Sequence, residues 1–196
     1  PDPPALTYGD APFTLTATAT SGLSVDLLVI SGPATISGHA LTMTGAGQVT
    51  IGAYQQGSQD YLPAASVVKY LTVSKAAQAI SFPGPLDAVY GSAPIALTAT
   101  ASSGLPVAFT VVSGPATLSG GVLTITGAGT VQVAADQDGD ANNLTAAQVV
   151  RTFTVGKAAQ TIALAHVPDQ HFVGGEIVIA LTAVATSGLP VSYSVV

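Results

Sequence analysis

Three carboxylates alternate around a glycine in one stretch of the chain, DQDGDANN at residues 136–143. Asp136, Asp138 and Asp140 have the spacing of the oxygen ligands in some calcium loops, which place acidic side chains at alternate positions of a tight turn. Such a loop closes with a bidentate glutamate at its twelfth position, and this sequence has none there. The stretch is therefore a weak calcium candidate, and the competing interpretation is a solvated hairpin loop without metal.

Other metal-type side chains lie further along the chain. His166 and His171 flank Asp169, and Glu176 follows closely. Imidazole and carboxylate groups can bind zinc, but their spacing here does not match a zinc-ligand pattern. His39 stands alone in a predicted turn. We expect all of these to be loop residues that hold no metal.

The sequence offers no support for catalysis or for binding nucleic acid. It has no cysteine, its serines lie in predicted turns without a matching histidine, and no glycine-rich phosphate loop follows a strand. With four Lys+Arg and a net charge of -6, it lacks the clustered cations that nucleic acids and anionic membranes require. No apolar run approaches the roughly 18 residues of a membrane-spanning helix. We expect a protein that is not an enzyme, needs no cofactor and has no membrane span in this segment.

The chain contains an internal sequence repeat. SGPATISGHALTMTGAG at residues 31–47 recurs as SGPATLSGGVLTITGAG at residues 113–129. Shifting residues 1–82 onto 83–164 without a gap gives about 45 identities at about 82 positions, which marks tandem copies of one folded unit.

The segment KAAQ, at residues 75–78 and again at 157–160, marks the boundaries between units. A boundary this short is not a flexible linker, so neighbouring units should abut with limited bending. The predicted domains are a repeat that lacks its first strand, a complete repeat and a partial repeat, at residues 1–74, 75–156 and 157–196.

Each unit alternates apolar residues with threonine and serine, the pattern of half-buried strands. In the first unit residues 13–20 alternate, whereas the apolar run 25–30 suggests a strand that is covered on both faces or packed tightly at its centre. About seven short strands separated by turns favour an immunoglobulin-like sandwich, so the predicted fold is all-β, with tandem immunoglobulin-like β-sandwiches. The strands predicted for the complete unit are 79–82, 95–102, 107–112, 116–118, 122–126, 130–135 and 149–155. The predicted core is Leu97, Ala99, Val107, Phe109, Val111, Leu123, Ile125, Val131, Val133, Phe153 and Val155, with their first-unit counterparts.

The repeat also tests the candidate sites, because a site essential to the fold should occur in both copies. The counterpart of the acidic loop, YQQGSQDY at residues 54–61, keeps Gly57 but lacks the first three carboxylates. Calcium should therefore not be required for folding. A sugar-stacking surface of Tyr54, Tyr61 and Tyr70 is likewise not shared, since the second unit has Asp136, Asn143 and Thr152 there.

The sequence resembles bacterial immunoglobulin-like repeats of the Big/MBG type. The motifs that carry the resemblance are KAAQTI, YGDAPFTLTATATSGL, SGPAT, LTITGAG and a closing LTV or FTV. The resemblance covers essentially the whole chain. It implies β-sandwich beads strung in tandem through large secreted surface proteins and adhesins, and it carries no catalytic residue over.

The resulting expectation is a non-enzymatic structural repeat segment of an extracellular bacterial surface protein or filament, which gives rigid reach and assembly. The alternatives are an adhesin or carbohydrate-binding module with variable loops, and an accessory region of a hydrolase. The expected partners are neighbouring repeats or identical chains in a fibre, and a surface glycan or protein ligand under the adhesin alternative.

The ends of the sequence prompt a further expectation. The first unit lacks a counterpart of the strand at 79–82, and the third unit stops after its third predicted strand. Unpaired sheet edges favour association with another chain. We therefore expect either a longer array or strand exchange between chains of a filament.

Overall fold

The computed structural model describes residues 5–195, and all regular secondary structure among them is β-strand. The strands form tandem immunoglobulin-like β-sandwiches, which confirms the predicted fold class. Within residues 5–195 no helix is long and apolar enough to cross a membrane.

Within residues 5–74, the first sandwich contains seven strands in two sheets. One sheet has the order β1-β7-β6-β3, with β1 parallel to β7, and the other has the order β2-β5-β4. Their bounds are β1 Leu6–Thr7, β2 Phe13–Thr14, β3 Asp26–Ser31, β4 Ala34–Ser37, β5 Ala40–Met43, β6 Gly47–Tyr54 and β7 Val67–Ser74. Both sheets supply the core, which consists of Leu6, Ala34, Leu41, Met43, Val49, Ile51, Leu71 and Val73.

The second sandwich repeats this arrangement with two additional short strands. Its strands are β8 Ile80–Ser81, β9 Ala88–Val89, β10 Ile95–Ala96, β11 Thr100–Ala101, β12 Ala108–Ser113, β13 Ala116–Ser119, β14 Val122–Ile125, β15 Gly129–Asp136 and β16 Val149–Gly156. The sheets have the orders β12-β15-β16-β9, β10-β14-β13 and β11-β8. Of the predicted core, Leu97, Leu123, Val131, Val133, Phe153 and Val155 are buried, and Ala99, Val107, Phe109, Val111 and Ile125 are partly buried and pack against them.

The SGPAT motif is explained by a close approach of the backbone. Gly32 and Gly114 adopt φ of 101° and 100°. A Cβ atom on either glycine would lie 2.2 Å from a carbonyl oxygen, that of Gln48 or Thr130. The chain can pass from β3 to β4, and from β12 to β13, only because these residues have no side chain.

Three predictions about the strands need correction. The predicted strand 95–102 is divided, because β10 pairs with β14 while β11 pairs with β8, so the chain changes sheets between them. In the first sandwich only Phe13–Thr14 of the predicted 13–20 is a strand. The apolar run 25–30 is not covered on both faces, since Leu28 and Ile30 are exposed.

Each sandwich also contains one short strand that the sequence pattern does not predict. The strands β1 and β9 run parallel to the last strand of their sandwich, β7 and β16 respectively. Each is two residues long and follows a proline-rich stretch, which suits an edge strand.

The last part of the chain forms one short ladder. Strand β17, Ile162–Leu164, pairs antiparallel with β18, Ala183–Ala185. The third strand predicted for this unit does not form within the part of the chain that the structure describes. Most side chains of residues 157–195 are exposed.

Candidate functional site at the junction of the two sandwiches

The acidic loop at residues 136–143, named the junction loop here, lies against the first sandwich. The side-chain Oδ1 of Asn142 accepts a hydrogen bond of 2.9 Å from the backbone N–H of Ala46, in the turn between β5 and β6. The backbone of Asn142 accepts from the N–H of Ala76 at 2.8 Å, and Leu144 donates to the carbonyl of Ala76 at 2.8 Å. The loop thus holds both the first sandwich and the segment between the sandwiches.

Asp140 shapes the turn that presents Asn142. Its Oδ1 accepts from the backbone N–H groups of Asn142 and Asn143, at 2.8 and 2.7 Å, and from the side-chain amide of Asn143 at 2.9 Å. The hydrogen bond from the Asn142 backbone, followed by that from the Asn143 side chain, lowers the pKa of Asp140 from its ordinary value. Lys75 donates to the Asp140 carbonyl at 2.6 Å. Asp140 is therefore engaged in local structure rather than aimed at a ligand.

The KAAQ segment is fixed to the same loop through its glutamine. The Nε2 of Gln78 donates to the Oε1 of Gln137 and to the carbonyl of Leu144, the latter at 2.7 Å. The Oε1 of Gln78 accepts from the hydroxyl of Ser103. Gln137 is buried and also accepts from the Gly139 N–H at 2.6 Å. These bonds leave little freedom for the segment that joins the sandwiches.

The three predicted calcium ligands are not brought together. Asp136 accepts from the Gln148 side chain at 2.7 Å, and the Asp138 carbonyl accepts from the Thr145 hydroxyl at 2.9 Å. Among residues 5–195, no group of three or more His, Cys, Asp or Glu side chains is placed to hold a metal ion. Asp136, Asp138 and Asp140 stay a weak calcium candidate, and the solvated hairpin loop without metal stays the competing prediction.

The remaining chemistry-bearing residues lie apart from the junction. His39 is in the turn between β4 and β5, and His166, Asp169, His171 and Glu176 are exposed along the stretch between β17 and β18.

The tyrosines proposed for sugar stacking lie on three different elements. Tyr54 ends β6, where its ring covers Gly52, Tyr61 is in a loop and Tyr70 is on β7. Tyr61 and Tyr70 are exposed.

Sequence reasoning missed the residues that matter most at the junction. In the sequence Asn142 stands out only as part of an acidic motif, because its bonding partner, Ala46, is far away in the sequence. Gln137 could have been found, since Gln55 occupies the same place in the first unit, is also buried, and accepts from Gly57 N–H at 2.9 Å. A polar residue retained at a buried strand end in both copies indicates a structural hydrogen bond.

The first sandwich builds its version of the loop with other side chains. Ser58 replaces Asp140, and its hydroxyl accepts from the Asp60 N–H at 3.1 Å. The backbone bond across the turn is kept, from Ser58 to Tyr61 at 2.8 Å and from Asp140 to Asn143 at 3.1 Å. Asp60 occupies the position of Asn142 and also carries a side-chain oxygen acceptor.

A cleft of ≈ 370 Å³ runs along the junction, between Tyr8 of the first sandwich and the junction loop. Its polar lining consists of a phenol, the hydroxyls of Ser102 and Ser103, amides, and the carboxylate of Asp140, which is already hydrogen-bonded. Among the residues that line it, no nucleophile is paired with a base. The arrangement can hold two domains in a fixed relation.

The fold and the junction define a chain of tandem immunoglobulin-like β-sandwiches joined end to end. Neither a protein-family model nor a curated protein sequence matches it. Among solved structures, it is similar to Drosophila N-cadherin EC1-4, with 13% identity and a TM-score of 0.30 over 79% of this chain and 46% of that one. It is also similar to mouse protocadherin-24 EC1-3, with 16% identity and a TM-score of 0.30 over 79% of this chain and 66% of that one.

The chain thus spans about half the length of the first of these structures and about two thirds of the second. Because identity and TM-score are both low, nothing about the activity or partners of this chain follows from them. The fold assignment rests on its own strands and cores.

Proposed function

We propose that this chain is a non-enzymatic, stiff structural segment of an extracellular bacterial surface protein or filament. It consists of immunoglobulin-like repeats at residues 1–74, 75–156 and 157–196, and its role is to give rigid reach and a base for assembly. The observation that carries the proposal is the hydrogen-bonded junction, in which a loop of the second sandwich holds the end of the first.

The geometry of the junction favours stiffness. Strand β7 ends at Ser74 and β8 begins at Ile80, and within this short connection Lys75, Ala76 and Gln78 are all hydrogen-bonded to the second sandwich. Because the connection is fixed to the second sandwich from Lys75 onward, bending between the sandwiches would break the bond from Ala46 to Asn142. A hydrogen bond of this kind contributes about 0.5–1.5 kcal/mol.

The proposed membership in the bacterial immunoglobulin-like repeats of the Big/MBG type rests on the sequence motifs that resemble them. The structure supplies a reason for two of them: SGPAT contains the glycine of a close backbone crossing, and KAAQ contains the residues that fix the connection. Neither reason requires a ligand or a reaction. A function based on repetition of a structural unit accounts for both.

Distance measurement between the sandwiches tests the proposal. The chain has no cysteine, so Ser37→Cys and Ser119→Cys, at matching exposed positions on β4 and β13, give two defined spin-labelling sites. Pulsed electron spin resonance should give one narrow distance distribution. It should broaden when Asn142→Ala is added, and stay narrow with Asp60→Ala, the matched change in the first sandwich. A broad distribution in the chain without further changes would contradict a rigid segment.

A further inference from the structure

The larger sheet of the first sandwich has an aromatic surface on the side that points away from the core, named the outer face here. Alternate residues of β3, β6 and β7 lie on it, and residues paired across these strands share it. Leu28 lies opposite Gly52 and Val68, and Thr50 lies opposite Tyr70. The apolar side chains exposed on the outer face are Leu28, Ile30, Val68 and Tyr70.

Tyr54 lies along the outer face rather than standing away from it. Gly52 is on the same side of β6, two residues earlier and about 7 Å away. A Cβ atom on Gly52 would nevertheless lie 2.5 Å from Cε2 and 2.8 Å from the hydroxyl oxygen of Tyr54, so this side chain reaches back over the glycine. Cδ1 of Ile30 is 3.0 Å from the same point. Ile30, Tyr54 and Tyr70 therefore cover three adjacent strands, about 10 Å across.

The same surface is open in the second sandwich, where β8, β9 and the connection between them are all present. Val150 is 41% exposed there, and its counterpart Val68 is 40% exposed. The connection runs along the edge of β16 instead, where the Asp87 carboxylate accepts from the Thr154 N–H at 2.6 Å. The exposure of the outer face therefore does not depend on the segment that precedes β1.

Polar groups without partners adjoin the aromatic side chains. Asp26 pairs with Tyr54 across the ladder, as Thr50 does with Tyr70. Within residues 5–195, no hydrogen bond engages the carboxylate of Asp26 or the hydroxyls of Thr50, Tyr54 and Tyr70. Asp26 is the only charged residue at the outward positions of β3, β6 and β7. The outer face thus combines aromatic surface with free hydrogen-bonding groups and little charge.

Among exposed strand residues, the two sandwiches differ mainly on the outer face. The outward residues of β4 and β5, Thr35, Ser37 and Thr42, recur as Thr117, Ser119 and Thr124. On the outer face, Asp26, Leu28, Thr50, Tyr54 and Tyr70 are replaced by Ala108, Thr110, Gln132, Asp136 and Thr152. Changes without consequence would spread over both surfaces, so this pattern favours a role of the outer face that is specific to the first sandwich.

We propose that the outer face of the first sandwich binds a neutral polysaccharide, whose sugar rings stack on Tyr54 and Tyr70. The C–H surface of a pyranose ring packs against an aromatic ring, and its hydroxyls exchange hydrogen bonds with Asp26 and Thr50. Because the outer face is an open surface rather than a pocket, it suits an extended β-1,4-linked chain. This goes beyond the proposed structural role, since it gives the first sandwich a ligand that the second does not bind.

The charges favour a neutral sugar over other ligands of an aromatic surface. An acidic polysaccharide would meet the Asp26 carboxylate and a chain of net charge -6. An apolar peptide would cover that carboxylate without offering it a donor, and an unpaired buried charge is costly. Sugar hydroxyls supply the donor and leave the carboxylate satisfied.

Titration of the whole chain with defined sugars tests the proposal. The probes are cellohexaose, β-1,4-mannohexaose and chitohexaose, and isothermal titration calorimetry should show saturable binding of at least one of them. In NMR spectra, the same sugar should shift the amide signals of Thr50, Gly52 and Val68. The amide signals of the matching residues, Gln132, Ala134 and Val150, should stay in place.

The second sandwich supplies the variants. Tyr54→Asp combined with Tyr70→Thr gives the first sandwich the residues that the second has at these places, and it should weaken binding by about tenfold or more because both aromatic contacts are removed. Asp26→Ala should weaken binding by about tenfold, since it removes a charged hydrogen-bond acceptor. Tyr90→Thr is the control, because Tyr90 is an exposed tyrosine of the second sandwich, and it should leave binding unchanged.

Binding that is weakened by the double change, kept by Tyr90→Thr and mapped to the outer face supports the proposal. It is overturned if none of the three sugars binds, if the double change leaves the affinity as it was, or if the shifted signals belong to the second sandwich. Self-association that the double change abolishes, without binding of sugar, also overturns it, because a second copy would then be the ligand. If the double change prevents folding, Asp26→Ala and the map of shifted signals decide. These outcomes are separable from the proposed function, since the distance between the sandwiches is measured without sugar.

Discussion

Replacing Asn142 by alanine should loosen the junction without unfolding either sandwich. The change removes the acceptor of the 2.9 Å bond from the Ala46 N–H, which is partly buried. A hydrogen bond between neutral groups contributes about 1 kcal/mol net, which corresponds to about a fivefold change in the equilibrium between closed and open junction. The backbone bonds between Ala76 and the loop do not need the Asn142 side chain, so the sandwiches should stay joined.

Amide hydrogen exchange followed by NMR measures this directly. The Ala46 amide should exchange about fivefold faster in Asn142→Ala, because opening of the junction exposes it to water. Amides in the centres of β6 and β15 should keep their protection. Asp60→Ala, which shortens the matching side chain of the first sandwich, should leave Ala46 unchanged. If Ala46 exchanges at the same rate in Asn142→Ala as in the original chain, the side-chain bond does not hold the junction and the reasoning is wrong.

Further predictions concern the core, the turn, and the acidic loop. Phe82→Ala should destabilise the second sandwich by about 3–5 kcal/mol in denaturant unfolding, as expected for a buried aromatic residue; an unchanged midpoint would mean that the Phe82 ring does not contribute to the core. Gly45→Ala should speed exchange at Ala46, since its Cβ would lie 3.0 Å from Asn142 Oδ1, while Gly127→Ala, which meets only Pro115, should not affect it. EDTA should barely shift the melting temperature, because the first sandwich builds the same turn without carboxylates at the positions of Asp136, Asp138 and Asp140; a large loss of stability that calcium restores would contradict this. Since its pKa is lowered on folding, the contribution of Asp140 is complete above the ordinary carboxyl pKa and is lost as pH falls through the lowered value; an NMR titration that places the pKa of Asp140 at or above the ordinary value of an aspartate would refute this.

Alternation of apolar residues was sufficient to predict the phase of the main strands. Leu123, Val131, Val133, Phe153 and Val155 are buried as expected, because in a strand every second side chain faces the same sheet surface. The same rule could not predict where residues 95–102 break. That break depends on which neighbour each half pairs with, β14 or β8, and pairing is a property of the whole fold rather than of the local pattern.

The contacts at the junction were harder to predict from the sequence, because they too depend on residues that are far apart along the chain. The spacing of Asp136, Asp138 and Asp140 suggested oxygen ligands, but Asp140 uses its carboxylate on the loop's own amides. The partner of Asn142 is Ala46, far away in the sequence, and no local pattern identifies such a contact. Comparison of the two copies was more informative than motif spacing, because it separated the retained Gln137 and Gly139 from the variable acids.

The two surfaces that meet at the junction are different, and this difference determines whether repeated contacts form closed pairs or extended rows. One is the Gly-Ala turn at the end of a sandwich, and the other is the loop and KAAQ connection at the start of the next. Contacts between unlike surfaces do not close on themselves in pairs, but extend into rows when each unit carries both surfaces. The second sandwich has the same turn at Gly127 and Ala128, and the KAAQ segment follows this sandwich at residues 157–160. Gln160 of that segment accepts a hydrogen bond from the Ser187 hydroxyl, as Gln78 does from the Ser103 hydroxyl. Under the proposed function, repetition of this contact lets length increase with copy number while stiffness is set at each junction.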